Sequence, residues 1–140
     1  MFKKFLVHPF KDRTLAYYLG FAAALFAIIS SVLLMALDGG DKTCSVSAFV
    51  LMLVGGFTFV GTMFLNSELL PFIPVVLYIA GFACELDATL PSLSDVWNGV
   101  NFIGGNAYMG LAFTCIFALC AIMGIVSNFM KYRKSIKQLV

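Results

Sequence analysis

The chain has 140 residues, of which 61% are hydrophobic and only 11% are charged, and its mean hydropathy is +0.99. Soluble domains carry roughly 25% charged residues, and a small one must cover a large surface with polar groups. This composition excludes a soluble enzyme, a nucleic-acid-binding protein, a disordered tail and a secreted disulfide scaffold. It indicates a single membrane domain over residues 1–140, with lipid as the main solvent.

The positive charges lie at the two ends of the chain. Eight of the nine Lys and Arg residues come before Thr14 or after Met130, and the exception is Lys42. Cationic flanks hold the tails of a membrane protein in the cytoplasm, so both termini are predicted to be cytoplasmic. The distribution leaves no basic face on a folded domain for nucleic acid.

Four apolar spans follow one another along the chain, over residues 14–37, 44–65, 69–86 and 107–130. As a helix the first would reach about 36 Å, enough to cross a bilayer. Its length exceeds the apolar region of a secretory signal, which predicts an uncleaved helix. The spans do not alternate as the strands of a membrane barrel do. The expected fold is an all-α bundle of four transmembrane helices.

Small residues recur at helical spacing in the first and fourth spans. In the first they include Gly20 and Ala24, and in the fourth Gly110 and Thr114. Helices in lipid associate through small side chains that let their backbones approach closely. These four residues are therefore expected to be helix-packing positions, either inside one bundle or against another chain.

The reactive residue types form no recognisable site. His8 is the only histidine, and Cys115 and Cys120 lie five residues apart on one span, where they share no helix face. We expect no metal, no cofactor and no enzymatic activity, because no metal-ligand cluster or nucleophile–base pair is present. A disulfide between Cys44 and Cys84 stays open, since both are expected near the outer surface.

The connection over residues 87–106 is the longest and the most polar part between the spans. Ser92 or Ser94 can cap a short helix that Gly99 ends, and Trp97 would then lie at the membrane interface. The pattern predicts a short interfacial helix in this third, outer connection. Glu85, which precedes it, is placed too close to the interface for a role in proton coupling.

Within this connection, Asp95, Trp97, Asn98 and Asn101 gather a carboxylate, an indole and two amides in seven residues. The apolar spans offer almost no polar chemistry of this kind. We therefore expect these four residues to form a binding surface, for a protein partner first and for a neutral polar ligand second. The other interpretation is that the connection only seals the outer end of the bundle.

The function expected from these patterns is that of a non-catalytic multi-pass membrane protein. It would serve as a subunit or accessory partner of a membrane assembly, bound to another protein or to further copies of itself. The alternative is an oligomeric channel or transporter for a neutral polar solute. Compact loops and the absence of glycosylation sequons favour a bacterial inner membrane.

The charge pattern yields a topology prediction. In a background without native cysteines, a cysteine at position 40 in place of Gly40 should react with an impermeant thiol reagent in intact cells. A cysteine in place of Ser135 should react only after the membrane is opened, because the basic tails face the cytoplasm. Labelling at position 135 in intact cells would contradict the assignment.

Overall fold

The computed structural model describes residues 14–65 and 69–130, which form four α-helices: α1 over Leu15–Asp38, α2 over Val46–Thr62, α3 over Phe72–Trp97 and α4 over Ala107–Phe129. Each helix packs on the helix before and after it in the chain, and α1 also packs on α4. The result is a closed up-and-down bundle. The predicted all-α architecture is confirmed.

Three of the helices, α1, α3 and α4, are long and apolar enough to cross a membrane, and α2, at 17 residues, is apolar but shorter. Their outward faces carry large hydrophobic side chains such as Phe26, Phe57 and Leu119. A soluble bundle would place polar residues there, so this surface supports membrane localisation.

The centre of the bundle is filled with side chains. Leu34, Met52, Tyr78 and Phe117 each have at most 1% of their surface exposed and belong to one cluster. Towards the opposite end, Tyr17, Phe59 and Met63 form a second cluster with Ala24. Side chains from the helices thus occupy the interior of the described bundle.

The small residues of α1 face the interior. Gly20 and Ala24 are both buried, and a Cβ added to Gly20 would lie 2.7 Å from Cζ of Phe59. On α4, Gly110 and Thr114 are buried as well, and a Cβ at Gly110 would lie 2.7 Å from Oγ1 of Thr89. The structure thus places these positions at contacts between helices of the same chain.

The third helix is longer than its apolar span. The sequence places its end at Leu86, whereas α3 continues to Trp97 with Pro91 inside it. The residues expected to form a separate short helix are therefore the last turns of α3, and the connection to α4 shrinks to residues 98–106. The sequence pattern is misleading here because Thr89 and Ser92, which are typical of loops, are buried against the rest of the bundle.

All four cysteines are free thiols. The Sγ atom of Cys44 lies 3.9 Å from Sδ of Met35, while Cys120 is buried in the main core cluster. The disulfide between Cys44 and Cys84 that the sequence left open is not formed in this structure.

The close packing of α1 against its neighbours predicts how strongly three substitutions on this helix reduce stability. Gly20→Leu and Ala24→Leu should each cost about 1–3 kcal/mol, because the new side chain meets a filled core. Phe26→Leu should cost much less, since Phe26 lies on the outward face. The measurement is the melting temperature of each variant in mild detergent. Equal tolerance of all three substitutions would show that this face does not form a tight contact.

Candidate functional site

The two loops at one end of the bundle fold together into a structure that we call the cap. It consists of residues 39–45, between α1 and α2, and residues 92–106, which are the end of α3 and its connection to α4. Every charged residue between Thr14 and Met130, apart from Glu68 in an undescribed segment, lies in the cap or next to it: Asp38, Asp41, Lys42, Glu85, Asp87 and Asp95.

Asp95 organises the connection that follows α3. Its Oδ2 atom accepts hydrogen bonds from the backbone N–H groups of Phe102 and Ile103, at 3.0 and 2.7 Å. Gly99, with φ of 68°, reverses the chain in a left-handed conformation that other residues rarely adopt. The connection therefore folds back onto the last turn of α3.

The same connection is tied to the loop between α1 and α2. Nζ of Lys42 donates to the carbonyl of Ile103 at 2.5 Å, and Oδ2 of Asp41 accepts from the N–H of Asn106 at 3.2 Å. Ser92 donates from α3 to the carbonyl of Gly104 at 2.7 Å. The cap is thus fixed at several points, although its side chains are largely exposed.

The four residues predicted as a binding surface all lie on the cap, but they differ in burial and in hydrogen bonding. Asp95 is partly buried and bonded to the connection, and Nδ2 of Asn98 donates to the carbonyl of Ser94 at 2.9 Å. Asn101 is exposed. Trp97 is 89% exposed, the largest exposed fraction of any large hydrophobic residue described.

A fifth residue belongs with this group. Phe102 is 85% exposed, and its backbone N–H is one of the two that Asp95 holds. The binding surface expected from the sequence did not include Phe102. Its position depends on the chain reversal at Gly99, which brings it back towards the end of α3.

A second group of polar residues lies buried beneath the cap. Glu85 on α3 is 0% exposed, and its Oε2 atom accepts from the backbone N–H of Ser45 at 3.2 Å. Ser45 is the N-cap of α2, and its own hydroxyl accepts from the N–H of Ala48. Glu85 therefore joins α3 to the positive end of α2.

The sequence pattern predicts that the third span ends one residue after Glu85, which would place Glu85 close to the interface. Because α3 extends to Trp97, Glu85 lies in the middle of that helix. Its side chain is buried next to Ser45, where the loop between α1 and α2 ends. Glu85 could have been identified from the sequence, because it is the only ionisable carboxyl group in the apolar run of the third span.

Asp38, at the end of α1, is also buried and belongs to the same region. Its Oδ2 atom accepts from the hydroxyl of Thr43 at 2.9 Å. Burial raises the pKa of the neighbouring Cys44 thiol, and the negative charges of Glu85 and Asp38 raise it further. Asp38 and Glu85 therefore both lie near Cys44.

An open cavity of about 500 Å³ adjoins the buried group on the cap side. Its walls include Asp38 and Asp41, the glycines between them and Gly105 from the other loop. Within residues 14–65 and 69–130, no three His, Cys, Asp or Glu side chains come together as a metal centre. The polar chemistry of the described chain is thus concentrated in the cap and directly beneath it.

Comparison of the chain with known protein families, with curated proteins and with solved structures found no match.

The arrangement of the cap predicts the effect of removing Asp95. Asp95→Ala deletes the acceptor of two backbone amides, and hydrogen bonds to a charged group contribute about 1.5–3 kcal/mol. Amide hydrogen exchange at Phe102 and Ile103 should therefore accelerate by about tenfold or more. Asp87→Ala is the matched control, because Asp87 is exposed on the same helix. Unchanged exchange in Asp95→Ala would contradict this account of the cap.

Proposed function

We propose that this chain is a non-catalytic subunit or accessory partner of a membrane assembly, and that it contacts a protein partner through the cap. The observation that carries the proposal is the exposure of Trp97 and Phe102, at 89% and 85%, on a backbone held by side-chain hydrogen bonds. Large aromatic residues dominate the energetics of protein interfaces, and a preorganised surface binds at lower entropic cost.

The proposed orientation places the cap outside the cell and both termini in the cytoplasm, with all four helices crossing the membrane. It rests on charge: the terminal segments hold eight of the nine Lys and Arg residues. The cap and the residues beneath it hold five of the seven acidic residues and a single Lys. The proposed location is the bacterial inner membrane, because the loops are compact and the sequence contains no glycosylation sequon.

The filled bundle supports a binding role over a transport role. Tyr78 and Phe117, on α3 and α4, meet in one core cluster with Met52 of α2 and Leu34 of α1. A path for a solute would need several copies of the chain arranged around it. The purified assembly would therefore contain either several copies of this chain or this chain together with a different protein.

The test compares assemblies purified from native membranes after mild cross-linking. We expect a particle larger than the 15.3 kDa chain. The double variant Trp97→Ala, Phe102→Ala should weaken the assembly by about 30-fold or more, because loss of a central aromatic contact costs about 2 kcal/mol or more. The measurement is particle mass by light scattering, corrected for detergent.

The matched control is the double variant Leu25→Ala, Phe26→Ala, which removes two exposed hydrophobic side chains from the outward face of α1. It should leave the assembly intact. A wild-type protein that remains monomeric after cross-linking would overturn the proposal. So would an assembly that the cap variant leaves unchanged, since Trp97 and Phe102 would then only anchor the chain in the interface.

A further inference from the structure

Four polar side chains meet beneath the cap, where three segments of the chain converge. Asp38 comes from the end of α1, Thr43 from the following loop, and Glu85 and Thr89 from successive turns of α3. Each is at most 4% exposed. Gly110 of α4 closes the group, since a Cβ there would lie 2.7 Å from Oγ1 of Thr89 and 3.0 Å from Cβ of Thr43.

The hydrogen bonds of this group are incomplete. Thr43 donates to Asp38, and the N–H of Ser45 donates to Oε2 of Glu85. Oε1 of Glu85 and Oγ1 of Thr89 are fully buried and have no hydrogen-bond partner in the described chain. Nearly all buried polar atoms in native proteins have a partner, so two such oxygens one helical turn apart point to a bound ligand.

The charges of the group are also uncompensated. Lys42 is the only Lys or Arg between Thr14 and Met130, and its ammonium group donates to the carbonyl of Ile103 in the cap. Among residues 14–65 and 69–130, no cationic side chain therefore contacts these two buried carboxyl groups. Buried charges in native proteins are paired or coordinate metals, and a bound cation would supply the positive charge that the described residues do not bring to this group.

The chemistry of the available atoms selects the kind of ligand. They are carboxylate and hydroxyl oxygens without nitrogen or sulfur, a set that suits hard cations such as Ca²⁺ or Na⁺ better than zinc or copper. Asp38 also lines the open cavity beside the group, together with Asp41 and Lys42, so an ion in this cavity can reach Asp38.

We propose that Asp38, Thr43, Glu85 and Thr89 form a binding site for one hard cation, which enters through the cavity beside Asp38 and Asp41. Two carboxylates match the charge of Ca²⁺, which makes it the first ion to test. A bound ion would link the end of α1, the loop to α2 and α3, and would stabilise the base of the cap. The site is independent of the proposed partner surface.

The experiment uses the purified full chain in detergent after treatment with a chelator. Melting temperatures are measured with Ca²⁺, with Na⁺ and with choline at matched ionic strength, each at two pH values. We expect saturating Ca²⁺ or Na⁺ to raise the melting temperature by about 5 °C or more relative to choline. The ion that produces the shift identifies whether the site is divalent or monovalent.

Glu85→Gln removes the charge at constant shape and should abolish the shift. Asp87→Asn is the matched control, since it removes an exposed carboxyl group two residues away and should retain the shift. Thr89→Val tests the second unpartnered oxygen. If Thr89 binds an ion, this substitution should reduce the cation-dependent shift in melting temperature. If no ligand is bound, it should raise the melting temperature equally in all three salts.

Should Glu85→Gln fail to fold, equilibrium dialysis of the wild-type protein against radioactive Ca²⁺ and Na⁺ decides the question, with one ion per chain expected. Absence of binding and of any cation-dependent shift would overturn the proposal. Stabilisation by acid alone, identical in all three salts, would also overturn it, because a proton would then neutralise Glu85.

Discussion

Lipid supplies no hydrogen-bond partners to the backbone and little solvation to charge, and the rest of this structure follows from that constraint. Each span must satisfy its N–H and C=O groups internally, which it does as a helix. Charged side chains are displaced to the ends of the bundle. Within the described residues they all gather at the cap end, while the cationic residues of the chain are concentrated in its terminal segments.

The same solvent removes the usual reason for helices to associate, because lipid tails are as apolar as the side chains that they contact. Association then depends on close packing. Gly20 lets Phe59 approach α1, and Gly110 lets Thr89 approach α4. The contact at Gly110 packs α3 against α4 at Thr89, which lies beyond the end of the apolar span of α3.

Polar groups that cannot leave the bundle are instead paired with backbone amides. Asp95 accepts from Phe102 and Ile103, Asp41 from Lys42 and Asn106, and Glu85 from Ser45. Carboxylates used in this way hold loops in place without basic partners. Glu85 and Thr89, beneath the cap, each keep one buried oxygen without a hydrogen-bond partner in the described part of the chain.

The sequence by itself determined the fold class, since long apolar spans without alternation permit only helices in lipid. It also located the approximate spans and identified residues 95–101 as the part with the richest polar chemistry. It misjudged the end of α3, because helix propensity at Thr89, Pro91 and Ser92 is weaker than the packing that holds these residues. Burial is a property of neighbours distant in sequence, and no local pattern records it.

Only the tertiary structure decided which polar residues share one volume. Asp38, Thr43, Glu85 and Thr89 are spread over 52 residues of sequence, and their meeting depends on how α1, the following loop and α3 pack at one end of the bundle. Likewise, Phe102 reaches the end of α3 only through the chain reversal at Gly99 and the hydrogen bonds to Asp95. Spacing along the chain predicts a helix face, but contacts between segments arise from packing, which the sequence pattern does not specify.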